Sequence, residues 1–154
     1  MEFGALIRRM TAAAAAGDGA GVAACFTPDG VYHDVFYGSF QQTEIIDLIE
    51  GHFHRDGRDF LWDVHDPVSD GQTGYARYVF SYVSRLKGHE GRRACFEGVA
   101  ICRLKDGLIA DYSEVANAAT GLSLMGFDDR RVARFIAREA GHLLARDEAE
   151  EHRG

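Results

Sequence analysis

The chain has 154 residues, 17 Lys and Arg against 24 Asp and Glu, and a net charge of -7. The length suits one domain over residues 1–154 with one core. The charged fraction of 27%, with no run near the ~18 apolar residues of a membrane helix, excludes a helical membrane protein. Scattered cations in an acidic chain exclude a nucleic-acid binder, which needs a basic face to displace counterions.

Phe3, Leu6, Ile7, Met10, Ala13 and Ala14 recur at helical spacing and predict a first helix. The acidic Glu2, and an apolar stretch made only of alanine (Ala12–Ala16), argue against a secretory leader. Gly17-Asp18-Gly19 interrupts the helix, with Asp18 placed to cap a short second one carrying Val22, Cys25 and Phe26. Thr27-Pro28-Asp29-Gly30 reads as a turn, Val31–Tyr37 as a strand, and residues 43–54 as a third helix with Ile45, Ile46, Ile49 and Phe53 inward. Strands follow at Phe60–His65, Gly74–Arg85, Arg93–Leu104 and Leu108–Val115, joined by short connections that imply an antiparallel meander. Beyond Gly121 a last helix carries the stripe Val132, Phe135, Ile136, Ala140, Leu143 and Leu144, with Asp128 as its cap. The charged tail from Arg146 is expected to fray. Cys25, Cys95 and Cys102 are odd in number and lie in apolar settings, as buried thiols of a cytosolic protein do. Helices followed by a curved antiparallel sheet make an α+β order.

The order of a helix, a short helix, the stretch CFTPDGVYHDVFYG, a helix and four strands resembles the nuclear transport factor 2-like superfamily, which includes SnoaL-like cyclases and ketosteroid isomerase. The likeness spans residues 5 to about 117 and is strongest from Ala16-Gly17-Asp18 through Phe26–Asp34 and at LKDGLIADY. It implies a cone: a strongly curved sheet wrapped around the N-terminal helices, with the C-terminal helix as an addition. In that likeness Asp34 falls where ketosteroid isomerases carry their general base. The isomerase's oxyanion-donating tyrosine falls at Met10, and its protonated acid falls near Ala100. Neither residue donates a hydrogen bond, which argues against steroid isomerisation itself.

Asp34 is the leading catalytic candidate, since a carboxylate inside an apolar cone is desolvated and its pKa raised. The alternative is an edge-strand Asp bonded to backbone or to His33. Tyr32 shares its face by alternation and is placed to orient a substrate carbonyl, or else fills the core with its hydroxyl at the rim. His65, on one strand face with Asp63, is the second catalytic candidate; otherwise it belongs to a solvated face. Trp62 on the opposite face of that strand, Tyr78 on the apolar face of the next, and Tyr112 on the last strand are candidate ligand contacts. Glu97 either faces the pocket or pairs with Arg77 or Arg93. His52 and His54 point to different helix faces, so no metal is expected. No cofactor is expected either. The reading is an isomerase, dehydratase or cyclase acting on a small apolar molecule. The rival is a non-catalytic ligand-binding or association module. Aromatics on both faces of Tyr75–Tyr82 lead us to expect a homodimer.

Overall fold

A computed structural model describes residues 2–154. Helix α1 (Phe3–Ala16) buries Phe3, Leu6, Ile7, Met10 and Ala14. It ends at Gly17, whose φ of 78° is a left-handed cap that donates to the carbonyls of Ala13 and Ala14. Asp18 caps α2 (Gly19–Ala23) by accepting from Gly21 N at 2.8 Å.

Six strands make one curved sheet in the order β2-β1-β6-β5-β4-β3. They are β1 (Phe26–Asp34), β2 (Gly38–Gln41), β3 (Gly57–Ser69), β4 (Thr73–Ser84), β5 (Arg93–Lys105) and β6 (Leu108–Ala116). The run β3 to β6 is the expected antiparallel meander. β1 lies parallel to β6 and turns back into β2. The inner face is apolar and aromatic: Phe60 and Trp62 of β3, Ala76, Tyr78 and Phe80 of β4, Phe96 and Ala100 of β5, and Tyr112 of β6 belong to one core with α1.

Several local expectations are corrected. The Thr27–Gly30 segment is not a chain reversal. It is an irregularity inside β1, where the register against β6 shifts between Phe26 and Val31. β1 stops at Asp34, and residues 35–37 form a tight turn that the aromatic run Val35-Phe36-Tyr37 disguised as strand. The third helix is composite: α3 (Ile45–Asp47), a π-helical stretch Leu48–Phe53 and α4 (His54–Asp56). It buries Leu48 in place of Ile46, because Ile45, Leu48 and Ile49 share the inward face.

α5 (Ala118–Leu124) and α6 (Asp129–Ala145) follow the sheet, and Asp128 caps α6 at 2.9 Å from Arg131 N. α6 packs chiefly through Phe135, 5.5 Å from Phe36 between ring centroids. Ile136, Leu143 and Leu144 remain about half exposed. The tail does not fray: Asp147–His152 is a 3-10 helix that buries Ala149, and the Arg153 guanidinium donates to the carbonyls of Leu144 and Arg146. No helix among the described residues is long and apolar enough to cross a membrane.

Candidate active site

The inner face of the sheet and the turn after β1 enclose a cavity at the wide end of the cone. Its walls are aromatic, chiefly Phe36, Phe53, Phe60, Trp62, Phe80 and Phe96. Its polar groups are Tyr32, Asp34, Tyr37, Asp56, Tyr78, Tyr82 and Glu114. The cavity is narrow, about 30 Å³. Asp34 and Glu114 also line a second, outer groove of about 500 Å³ under α6. The two carboxylates therefore stand where the cavity meets the groove.

Strand alternation accounts for this placement. Tyr32 and Asp34 point inward from β1, while His33 points outward to Asp111 at 2.9 Å and Ser39 at 2.7 Å. Tyr32 pairs with Tyr112 across the parallel ladder, and their rings stack at 4.5 Å. Two residues along β6, Glu114 points inward as well.

Each carboxylate is held by one oxygen. Asp34 Oδ2 accepts from Phe36 N at 2.9 Å and Tyr37 N at 3.0 Å, which shapes the turn. Glu114 Oε2 accepts from Tyr78 Oη at 2.6 Å and Tyr112 Oη at 3.0 Å. Among the described residues no protein donor reaches Asp34 Oδ1 or Glu114 Oε1, so each carboxylate keeps one oxygen for a ligand. Gly98 makes this reach possible. It is the cross-strand partner of Tyr78, and a Cβ there would lie 2.6 Å from Tyr78 Oη and 2.9 Å from the Val115 carbonyl.

Burial sets the acidities. Asp34 is pushed up to about 6 by desolvation, against the pull of the Phe36 and Tyr37 N–H groups and His52. Glu114 is pushed up to about 7, first by desolvation and then by the Asp34 charge, against its two phenol donors. Desolvation and the Glu114 charge raise Tyr32, Tyr78 and Tyr112 too, so these phenols stay protonated and act as donors. At the rim, Tyr37 Oη donates to Asp56 at 2.7 Å, and Arg55 holds the Asp56 carboxyl below its usual range. The indole N–H of Trp62 is buried and has no hydrogen-bond partner among the described residues.

Of the residues singled out from sequence, Tyr32, Asp34, Trp62 and Tyr78 line the cavity. Tyr112 lies fully buried beneath it, as the second phenol on Glu114. His65 is not brought to them. It stands opposite Arg77 on the outer sheet face, while its inward neighbours Trp62 and Val64 oppose Phe80 and Tyr78. Glu97 is exposed on the outer face of β5, between Cys95 and Val99, with no salt bridge to Arg77 or Arg93. His52 and His54 do diverge: His52 packs on Tyr37 and Phe40, whereas His54 bonds the Ala14 carbonyl. Glu114 is the residue that sequence reasoning passed over. The available signal was its alternation with Tyr112 on the apolar face of the last strand.

A curved sheet wrapped as a cone around N-terminal helices is the architecture, and the sequence agrees: residues 7–112 match the SnoaL-like domain. The chain belongs to that family, within the nuclear transport factor 2-like superfamily. Solved structures share the fold at low identity. TsrD from Streptomyces laurentii is 20% identical with a TM-score of 0.68, the match covering 80% of this chain and 93% of that one. IdmH, a putative polyketide cyclase from Streptomyces antibioticus, is 19% identical with a TM-score of 0.67, over 82% and 99%. A Catenulispora acidiphila protein of ketosteroid isomerase-like fold, in complex with trimethylamine, is 14% identical with a TM-score of 0.70, over 80% and 93%. No curated protein matches the sequence.

Proposed function

We propose that the chain, acting as one domain, is an isomerase, dehydratase or cyclase for a small, largely apolar molecule. Asp34 takes a proton from carbon next to a carbonyl, and Glu114 gives one to the oxygen that gains charge. The observation that carries this reading is the pair of half-anchored carboxylates lining one aromatic cavity. Burial raises both, and the Asp34 charge raises Glu114 further, so Asp34 ionises first and Glu114 keeps its proton longer: one acts as base and the other as acid. The acid missing at Ala100 is supplied from the next strand, because Glu114 is the cross-strand partner of Ala100. Tyr32 and the unpartnered Trp62 N–H are donors left for polar atoms of the substrate. IdmH being a putative polyketide cyclase supports a carbonyl-rich substrate class. The unpaired Cys25, Cys95 and Cys102 support a cytosolic setting.

The test is hydrogen–deuterium exchange in small cyclic ketones and β-diketones, followed by NMR in D2O. The chain should accelerate exchange at the α-carbon, Asp34→Asn should abolish the effect, and Glu114→Gln should reduce it. Absence of acceleration across the panel, or full exchange with Asp34→Asn, would remove the catalytic reading. A second reading, a non-catalytic ligand-binding or association module, draws on the narrowness of the inner cavity. Ligand binding without exchange would select it.

A further inference from the structure

A purely apolar substrate does not account for the roof of the outer groove. A surface helix ordinarily buries its apolar stripe. α6 turns Ile136, Leu143 and Leu144 towards solvent and presents cations to the body of the protein. Arg131 lies over the Phe127 ring at 3.9 Å and reaches His89 Nε2 at 3.3 Å. After Phe135 the row continues with Arg138, His142 and Arg146, all lining the groove. Arg138 lies 3.4 Å from the carbonyl of Val35, the residue next to Asp34. Among the described residues Arg138 has no carboxylate within ion-pair distance. Arg146 has only a surface contact to Glu148 at 3.4 Å, and Glu139 is the acid that α6 sends to the same groove. The groove and the inner cavity share Asp34 and Glu114, so one molecule can occupy both.

We propose that this groove is an anion subsite and that the substrate is amphiphilic. Its apolar body lies in the aromatic cone, and a carboxylate or similar anionic group lies outside on Arg138 and Arg146. The reacting carbon is then held between, at Asp34 and Glu114. A guanidinium without a carboxylate partner is suited to bidentate capture of an oxyanion. In a chain of net charge -7, two guanidiniums on one groove are also what draws an anion to this mouth. The placement of the reacting carbon rests on the function proposed above; the anion preference does not.

Two fluorescent probes with one ring system test it: 8-anilinonaphthalene-1-sulfonate and its neutral counterpart N-phenyl-1-naphthylamine. At low salt the sulfonate should bind about tenfold or more tightly than the neutral probe, as a charge-assisted pair contributes. The double change Arg138→Gln and Arg146→Gln should abolish that preference and leave the neutral probe unaffected. The matching Lys pair should retain most of it, which separates charge from folding. Arg130→Gln, off this row, should change neither affinity. Equal affinities in the unaltered protein, no binding of either probe, or a preference that survives the double Gln change would each overturn the proposal. Asp34→Asn should keep or raise the preference. If it does so without losing α-carbon exchange, the proposal stands and the catalytic role of Asp34 falls.

Discussion

Neutralising Asp34 should make the protein more stable, and only at pH values where the side chain is ionised. In the folded state its pKa rises from 3.8 to about 6. The difference of roughly 2 units corresponds to about 3 kcal/mol, since one unit is about 1.4 kcal/mol. A raised acid binds its proton more tightly in the folded chain. The stability that Asp34 contributes is therefore highest below pH 4 and falls as pH rises to about 6, after which it is flat. About 2 of the 3 kcal/mol falls between pH 4.5 and 7.5. The variant Asp34→Asn lacks this titration. Its amide oxygen still accepts from Phe36 N and Tyr37 N, though more weakly than a carboxylate, at a cost of about 1 kcal/mol. At pH 7.5 the variant should thus gain about 1–2 kcal/mol. At pH 4.5 it should match the unaltered protein or lie slightly below it. Urea unfolding of both proteins at the two pH values reads the difference, in which other titrating groups largely cancel. A stability difference independent of pH would show that Asp34 is not raised, and the base assignment would lose its physical footing. Loss of stability at both pH values would make Asp34 a turn anchor and nothing more.

Activity towards any substrate should follow a bell in pH with its maximum between about 6 and 7. It needs Asp34 ionised and Glu114 protonated, and Glu114→Gln should remove the alkaline limb. Gly98→Ala should displace Tyr78 Oη from Glu114 Oε2 and lower activity about tenfold or more, with some loss of stability because the added Cβ also meets the Val115 carbonyl, measured by kcat beside urea unfolding. Phe135→Ala should cost about 1–2 kcal/mol, less than the ~3–5 of a fully buried ring, because α6 holds the body mainly by this half-buried contact. A cost under about 0.5 kcal/mol in denaturant unfolding would show that α6 is unattached in solution. Leu61, Val68, Tyr75, Val99 and Val115 are exposed on the outer face of the sheet, so sedimentation at micromolar concentration should give a dimer; a monomer would refute it.

The sheet was legible because its strands repeat with period two over long, well-bounded runs. Tyr78, expected on the apolar face of its strand, points inward and lines the cavity. The β1–β2 region was less legible. Val35, Phe36 and Tyr37 have strand composition, and what bends them into a turn is the Asp34 carboxylate accepting two backbone N–H groups. Local propensity contains no trace of that bond. His65 was drawn towards the site by its chemistry, although its own alternation with Trp62 set it on the other face. The tail looked frayed from its charge, yet Arg153 closes the carbonyls left open at the end of α6.

In the function proposed above, Glu114 takes the acid's part from a neighbouring strand. Matching strand by strand puts the acid of the resembling isomerases at Ala100, where alanine cannot serve. The sheet does not recognise strand number. It recognises register, and Ala100 and Glu114 are paired across β5 and β6. A carboxyl one strand over has side-chain length enough to reach the same volume, provided the neighbouring position leaves it room. Here that room comes from two small residues: Ala100 opposite Glu114, and Gly98 under the Tyr78 hydroxyl. A large side chain at either position would fill the space in which Tyr78, Tyr112 and Glu114 meet. The small residues and the carboxylate therefore form one arrangement. Restoring an acid at 100, as Ala100→Asp, should place two carboxyls side by side in an apolar wall. Only one of them can ionise near neutrality, so the stability of that variant should fall steeply as pH rises from 5 to 8. Addition of Glu114→Gln should rescue it. Urea unfolding of the single and double variants across that range measures both effects, and a single variant as stable at pH 8 as at pH 5 would show that positions 100 and 114 do not share one site.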